Sequence, residues 1–331
     1  MAAFQEVQVQ VQLDNIINEN DVRGLDKNQD LAFKGKVEYG EDPYEWFTGC
    51  DGHGLDVFPN ILKRAPWPAI MATPDSLAAL LHWLKKYDGI SGNTGATYFE
   101  AKLFRNRVET CTVGDSQIAV FVDQKLVYIN TPHNFQNPLE CERLRERRET
   151  GRVTIKGAGL IPKICGATTL KQAPGDYIYF ENGDKIALSQ SLGHDNVTGI
   201  SPEKHTVFFE PGQEVCVLGG SDGLWEMVNT EGPDAEADML FLATKSANEI
   251  AAMAETRWKQ EWNFIWTDGK GVERTAVNRF QSDPRSGSSG YDDVSVCRMF
   301  IPKTEKVTKE ILEKEADEIL EKALEEMYSA V

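Results

Sequence analysis

The chain has 331 residues, of which 41% are hydrophobic and 26% charged, and its net charge is −17. This composition is that of an ordinary globular protein, and it excludes collagen, low-complexity disorder and a disulfide scaffold. A chain this acidic repels phosphate backbones and anionic lipid heads. Since the sequence has no basic patch, we expect neither nucleic acid nor a membrane surface as a partner.

The first residues contain neither the basic region nor the apolar region of a signal peptide, and no apolar run is long enough to span a membrane. The sequence therefore predicts an intracellular protein, cytoplasmic or nuclear or both. Its six cysteines are scattered singly, without the spacing of a zinc site or a redox pair. We interpret them as reduced thiols of the core.

In the first part of the chain, valines alternate with glutamines from Val7 to Val11, which predicts a half-buried strand. The apolar run from Trp46 to Cys50 predicts a buried strand that ends in a glycine turn. A helix is predicted from an N-cap at Thr73 to Gly89. From Val108 to Ile129 the pattern is strand, turn, strand, turn, strand, which predicts an antiparallel meander and not a βαβ unit.

The middle of the chain is less regular. Residues 138–150 are highly charged and predict a helix that Gly151 ends. The following stretch, about 151–202, is rich in glycine and polar residues and is predicted to form a flap-like excursion on the surface. A further strand is predicted from Glu214 to Leu218, directly before a second glycine-rich turn.

Towards the C-terminus, Ser246 and Glu249 have the spacing of a capping box, and apolar residues recur every fourth position up to Trp262, so a helix is predicted there. Residues 267–290 have the composition of a loop, and a last strand is predicted over 294–301. A C-terminal helix is predicted over about 307–331, with an apolar stripe that packs on the domain or binds a partner helix. With no internal repeat and no clear linker, we predict one domain over residues 1–331.

Three aspartates stand at the ends of predicted strands, in each case beside glycine or close to it: Asp51, Asp222 and Asp292. Hard divalent ions such as Mg²⁺ and Mn²⁺ prefer oxygen ligands, typically one or two carboxylates with backbone carbonyls and water. Asp51 with the carbonyl of Gly52 offers such ligands. A single Asp-Gly step is more often a turn than a ligand, so the three aspartates indicate a metal site only together.

Eight short motifs follow one another in order along the chain: FTGCDGHG, SGNTGAT, TVGDSQIAV, NPLECERL, IALSQSLG, SPE, VLGGSDGLWEMV and DDVSV. In these motifs the chain resembles the metal-dependent protein serine/threonine phosphatases, the protein phosphatase 2C family, from about Asn28 to Ile301. The resemblance implies an α+β fold, a sandwich of two antiparallel β-sheets flanked by α-helices. It also implies that residues 1–331 form a single phosphatase-like catalytic domain.

The resemblance further implies two Mg²⁺ or Mn²⁺ ions. Asp51 would bridge the ions, the Gly52 carbonyl would complete the shell of one, and Asp222 and Asp292 would hold the other. A hydroxide between the ions would attack the phosphorus of phosphoserine or phosphothreonine. His53 would be the general acid for the departing oxygen, a role suited to a side chain that titrates near neutrality.

The chain also departs from the family pattern. Gln29-Asp30 stands where the family has Glu-Asp, so a neutral amide replaces a carboxylate and predicts a weaker metal site. Asp293 stands where the family usually has Asn. We consider that Gln29, Asp30 and Asp293 either bind metal or support the residues that do. Leu25 occupies the place of the family's phosphate-binding arginine, for which Arg23 is a candidate substitute.

Three functions remain open at this point. The first is metal-dependent hydrolysis of phosphoserine and phosphothreonine in signalling phosphoproteins. The second is a pseudophosphatase, a regulatory module that binds a kinase or a phosphoprotein without hydrolysis, and Gln29 and Leu25 favour it. The third, a two-metal phosphodiesterase on nucleic acid, is opposed by the charge of −17 and by the resemblance. Intact Asp51, His53, Asp222 and Asp292 favour the first.

Overall fold

The computed structural model describes residues 15–40, 42–87, 94–134, 137–140, 142–143, 154–163, 171–179, 185–187, 190–193, 199–267, 272–280 and 290–303. The strands are β1 (Ile17–Arg23), β2 (Leu31–Val37), β3 (Tyr44–Cys50), β4 (Gly52–Gly54), β5 (Thr94–Ala96), β6 (Tyr98–Leu103), β7 (Arg107–Val113), β8 (Gln117–Val122), β9 (Lys125–Ile129), β10 (Thr154–Lys163), β11 (Lys171–Tyr179), β12 (Lys185–Ala187), β13 (Glu203–Phe208), β14 (Val215–Gly220), β15 (Glu261–Thr267), β16 (Glu273–Arg279) and β17 (Val294–Ile301). The helices are α1 (Val57–Leu62), α2 (Trp67–Met71), α3 (Ser76–Leu84), α4 (Asp222–Trp225), α5 (Ala235–Thr244) and α6 (Ala247–Lys259), and a 3-10 turn covers Lys85–Tyr87.

Two antiparallel five-stranded sheets form the centre of the fold. Sheet A has the order β1-β17-β14-β8-β9, and sheet B has the order β13-β7-β6-β3-β2. The register pairs Cys50 with Leu31 and Tyr98 with Val113 in sheet B, and Gly220 with Gln117 in sheet A. The last residues of β3, β7 and β14 therefore lie at the same ends of their sheets as the first residues of β2, β6 and β8. The segments that leave and enter these strands meet there.

The two sheets pack face to face through a continuous apolar layer. Its buried residues come from both sheets and include Phe47, Phe99, Val120, Val217 and Met299. Because side chains alternate across a strand, the other face of each sheet needs its own cover.

Helices provide that cover on both outer faces. Trp67 of α2 and Leu80 of α3 are buried with Tyr98 against sheet B. Ile250 and Trp258 of α6 are buried with other apolar residues against sheet A. The four layers, helix, sheet, sheet, helix, confirm the predicted α+β sandwich.

The predicted meander from Val108 to Ile129 is wrong, although its three strands are present. β7 pairs with β6 and β13 in sheet B, whereas β8 pairs with β14 and β9 in sheet A. The turn at residues 114–116 therefore carries the chain from one sheet to the other. A hairpin turn and a turn between sheets have similar sequences, because glycine and aspartate suit both.

Local boundaries also differ from the predictions. The N-cap of α3 is Asp75 and not Thr73, because the Asp75 side chain accepts a hydrogen bond from the Ala78 amide. The capping box at Ser246 is confirmed, but α6 ends at Lys259, and Trp262 lies in β15. Residues 267–290, predicted as a loop, contain β16, which pairs with β15.

Several predictions fall wholly or partly outside the described residues: the strand from Val7 to Val11, the C-terminal helix over 307–331, and most of the helix over 138–150. Of that last helix, residues 138–140 and 142–143 are helical. Within 151–202 the backbone contains the small sheet β10-β11-β12. In the part of the chain that the structure describes, no helix is long and apolar enough to cross a membrane.

Candidate metal centre

Asp51 follows β3 directly and is fixed by Thr97, the residue before β6. The Asp51 amide donates to Thr97 Oγ1 at 3.1 Å, and the Thr97 amide donates to the Asp51 carbonyl at 2.8 Å. The Thr97 hydroxyl also lies 2.7 Å from Ser116 Oγ. One hydroxyl therefore joins Asp51 to the turn between the two sheets.

That turn requires glycine at position 114. Gly114 has a φ of +101°, and a Cβ there would lie 2.7 Å from the Thr97 side chain. The Gly114 amide donates to His133 Nδ1 at 3.1 Å, and the His133 amide donates to the Gly114 carbonyl at 2.9 Å. Burial lowers the pKa of His133. A neutral imidazole keeps Nδ1 available as an acceptor, so His133 supports the turn that carries Asp115.

Asp222 is the first residue of α4, just after β14. The Ser295 amide donates to Ser221 Oγ at 3.0 Å, and the Ser221 amide lies 3.2 Å from Ser295 Oγ, so the end of β14 is fixed to the start of β17. Gly223 follows because nothing larger fits: a Cβ there would lie 1.9 Å from the Asp293 carbonyl oxygen. These contacts hold Asp222 close to the segment that contains Asp292.

The structure brings three carboxylates together at this end of the sandwich. Asp51, Asp115 and Asp222 each offer an oxygen, and these atoms all lie within 4.8 Å of one another. Sequence reasoning missed Asp115, which it treated as part of a turn. The signal was present, since Gly114-Asp115-Ser116 also places an aspartate beside a glycine at the end of a strand.

Burial and mutual repulsion disfavour the charged forms of these acids. Burial, followed by the charges of Asp222, Asp30 and Asp292, raises the pKa of Asp51 well above its usual value. Burial and the charges of Asp222, Glu226 and Asp30 do the same to the pKa of Asp292. Burial, with the charges of Asp293 and Asp222, raises the pKa of Asp30 to about 7. A cation at this position would relieve the repulsion.

The donor set fits a hard divalent cation. It consists of carboxylate oxygens, and Asp30 Oδ2 is buried without a hydrogen-bond partner among the described residues. Unpaired buried oxygens are rare in proteins and call for an explanation such as an ion. Beside Asp51 only glycine fits at position 52, since a Cβ there would lie 2.5 Å from Pro59 Cγ and 2.8 Å from the Gln29 Cβ. We therefore consider the cluster able to hold Mg²⁺ or Mn²⁺.

The other predicted site residues have distinct placements. His53, in β4, has Nε2 at 3.1 Å from Ser191 Oγ. Asp293 uses both of its carboxylate oxygens on the backbone, accepting at 2.8 Å from the Asp26 and Gln29 amides. Asp293 therefore holds the loop that carries Gln29.

Arg23 has partners elsewhere. Its guanidinium donates to Glu255 Oε2 at 2.5 Å and to the Asn248 carbonyl at 3.3 Å, both on α6, and it pairs with Asp21 at 3.2 Å. These contacts hold the guanidinium against α6. That Arg23 replaces the family's phosphate-binding arginine stays a prediction.

Comparison with known proteins yields fold matches. No protein-family model matches the chain, and no curated protein matches it. A solved sex-determining protein of C. elegans matches with 17% identity and a TM-score of 0.50, over 87% of this chain and 65% of that one. This chain thus spans less than two thirds of that protein.

Bacterial phosphatases are also among the matches. The serine/threonine phosphatase of S. agalactiae has 16% identity and a TM-score of 0.48, over 87% of this chain and 99% of that one. The catalytic domain of the phosphatase PstP, solved with two manganese ions, has 13% identity and a TM-score of 0.44, over 87% of this chain and 99% of that one. The likeness to the C. elegans protein, at 17% identity, concerns the fold alone.

Proposed function

We propose that the protein is a divalent-metal-dependent phosphatase that hydrolyses phosphoserine and phosphothreonine in signalling phosphoproteins inside the cell. One observation carries the proposal: three strand ends bring carboxylates of Asp51, Asp115 and Asp222 within 4.8 Å of one another. Packing alone does not favour such a group, because burial and like charge raise the pKa of Asp51. A site for cations explains why acids occupy these positions.

In this proposal Asp51, Asp115, Asp222 and Asp292 hold one or two Mg²⁺ or Mn²⁺ ions, with the Gly52 carbonyl beside them. When bound, such ions supply an activated water molecule and positive charge for the phosphate. That charge explains how a chain with a net charge of −17 could bind a phosphate dianion.

His53 is the proposed general acid. Its Nε2 lies 3.1 Å from Ser191 Oγ, a contact that restrains the orientation of the ring. A protonated Nε2 would deliver its proton to the serine or threonine oxygen as the bond to phosphorus breaks. The departing alkoxide is a poor leaving group, so this proton transfer is required.

The second candidate is a pseudophosphatase that binds phosphoproteins without hydrolysis. Two observations favour it. Gln29 has an amide where the family has a carboxylate, and an amide binds a divalent ion more weakly. Arg23 forms an ion pair with Glu255, which makes its guanidinium less available to phosphate. Metal-dependent turnover distinguishes the two candidates.

The test is release of phosphate from an aryl phosphate and from a phosphoserine peptide, in Mn²⁺ and in excess chelator. We expect chelator-sensitive turnover that Asp222→Asn lowers roughly a hundredfold or more, because the variant loses a charged ligand at similar volume. Asp234→Asn is the matched control, since Asp234 is exposed and makes no side-chain cap to α5. No release from the unmutated protein at millimolar Mn²⁺ would favour the pseudophosphatase, and full activity in Asp222→Asn would refute the metal assignment.

A further inference from the structure

The Gln29 side chain has a defined orientation. Its Nε2 lies 3.0 Å from the Gly54 carbonyl oxygen and 2.5 Å from Asp56 Oδ1. Both neighbours only accept hydrogen bonds, so the amide nitrogen and not the amide oxygen must face them. The oxygen, Oε1, consequently points away from Asp56 and Gly54.

Gln29 Oε1 is buried and has no hydrogen-bond partner among the described residues. Gln29 is only 2% exposed and lies against Gly52, where a Cβ would be 2.8 Å from the Gln29 Cβ and from its carbonyl oxygen. Oε1 is thus a buried oxygen without a hydrogen-bond partner among the described residues, on a residue that packs against Gly52, the neighbour of Asp51.

The position of Asp56 also calls for an explanation. Asp56 is the N-cap residue of α1, where aspartate normally accepts a hydrogen bond from the helix backbone. Here the exposed Asp56 side chain makes no such bond to the described backbone of α1. Its carboxylate binds the Gln29 amide instead.

We propose that Asp56 is a positioning residue that makes Gln29 a metal ligand, so that the two residues together do what a single glutamate would do. Asp56 fixes the amide with Oε1 directed at the ion. A charged acceptor on Nε2 also draws electron density towards Oε1, which strengthens it as a donor to Mg²⁺ or Mn²⁺. This inference rests on the proposed function, because the ion is that of the same site.

The proposal changes the expected effect of restoring glutamate. From the sequence alone, Gln29→Glu should tighten metal binding, because it adds a charge. With Asp56 Oδ1 only 2.5 Å from the amide nitrogen, the new carboxylate would face both Asp56 and the Gly54 carbonyl. The single substitution therefore creates repulsion, which Asp56→Asn relieves, since asparagine can donate a hydrogen bond to the introduced carboxylate.

The test is calorimetric titration of the metal-free full chain with Mn²⁺ alone. Asp56→Ala, which removes the acceptor for Gln29 Nε2, should weaken the weaker manganese site about tenfold, in the range found when a group that orients a metal ligand is lost. Gln29→Glu should leave that site no tighter than in the unmutated protein. The double variant Gln29→Glu with Asp56→Asn, in which the amide and the carboxylate exchange places, should recover the unmutated affinity or exceed it. Circular dichroism confirms that each variant is folded, and Asp234→Asn is again the control.

The outcomes separate the two claims. Unchanged affinity in Asp56→Ala, or tightening by Gln29→Glu alone equal to that in the double variant, would overturn the role of Asp56 even if hydrolysis is metal-dependent. A role of Asp56 in stability alone would give no recovery in the double variant. The expected pattern of affinities without any hydrolysis would uphold the role of Asp56 and overturn the phosphatase.

Discussion

At the scale of the residue, Thr97 shows how a small side chain can organise a charged site. Its hydroxyl contacts the Asp51 amide at 3.1 Å and Ser116 Oγ at 2.7 Å. The first contact is to the backbone of Asp51, and the second is to Ser116, the residue after Asp115. Because the repulsion between Asp51 and Asp115 opposes their approach, neutral contacts from the backbone and hydroxyls must hold them together.

His53 has a role that can be tested with leaving groups. His53→Gln should lower turnover of a phosphoserine peptide roughly 100-fold, because a serine alkoxide needs a proton from a general acid. An activated aryl phosphate releases a phenolate that needs no proton, so its turnover should fall much less. Steady-state kinetics on both substrates at saturating Mn²⁺ measure the two ratios.

The control is Ser191→Ala, which removes the hydroxyl 3.1 Å from His53 Nε2 but leaves the imidazole in place. It should affect both substrates mildly. Equal losses on the two substrates in His53→Gln would contradict the acid role and leave His53 with a structural function in β4.

At the scale of the element, a partly buried ion pair links α5 to α6. Arg257 binds Asp238 through two hydrogen bonds of 2.6 Å, and the Asn229 amide donates to the same carboxylate at 2.8 Å. Burial by itself would raise the pKa of Asp238, but the hydrogen bonds and charge of Arg257 and the bonds from Asn229 outweigh it and lower the pKa.

The stability contributed by Asp238 should therefore depend on pH. A carboxyl whose pKa is lower in the folded state stabilises the fold above its unfolded pKa, near 4, and loses this contribution as the pH falls through the folded value. Asp238→Asn should cost about 2 kcal/mol at pH 7, because hydrogen bonds between charged groups are replaced by weaker ones to a neutral amide. The difference in free energy of unfolding between the two proteins should shrink below about pH 4.

Urea denaturation at a series of pH values from neutral to well below the unfolded pKa measures this difference. Asp234→Asn provides the comparison, since Asp234 lies at the start of the same helix but is exposed. A difference between Asp238→Asn and the unmutated protein that stays constant over this range would show that packing, and not charge, links α5 to α6.

The start of α6 could be predicted from the sequence, but its end could not. The capping box at Ser246 was predictable because both of its partners lie within one helical turn. The end of α6 was not, because Trp262 continues the apolar spacing and is buried in the same cluster as Trp258, although it lies in β15. The spacing of apolar residues indicates which side chains are buried, but not the secondary structure that buries them. A residue four positions after a helical one can be buried from a strand.

At the scale of the whole molecule, eight motifs in a fixed order allowed the sandwich to be predicted. Asp51, Asp222 and Asp292 could be predicted because they lie within those motifs. The sequence could not predict contacts between distant segments. Asp293 accepts from the Asp26 and Gln29 amides, and Asp56 accepts from Gln29 Nε2, only because the fold brings these segments together. The same holds for Asp115, whose approach to Asp51 depends on the passage of the chain from sheet B to sheet A.

The cluster also makes a prediction for the stability of the entire fold. A cation that binds only the folded state stabilises it by about 2.7 kcal/mol per site when its concentration is about one hundred times Kd. Binding should also relieve the repulsion that, after burial, raises the pKa of Asp51 and of Asp292. Millimolar Mn²⁺ should therefore raise the melting temperature of the chelator-treated protein by several degrees, as measured by differential scanning calorimetry.

Asp51→Asn separates this effect from binding elsewhere on a chain with a net charge of −17. Because Asp51 lies within 4.8 Å of both other carboxylates, its loss should remove most of the manganese-induced shift. Without metal, the same variant should melt no lower than the unmutated protein, since a neutral amide relieves repulsion. An unchanged shift in Asp51→Asn would place the stabilising ion at another acidic surface, and the carboxylate cluster would then no longer be the metal centre.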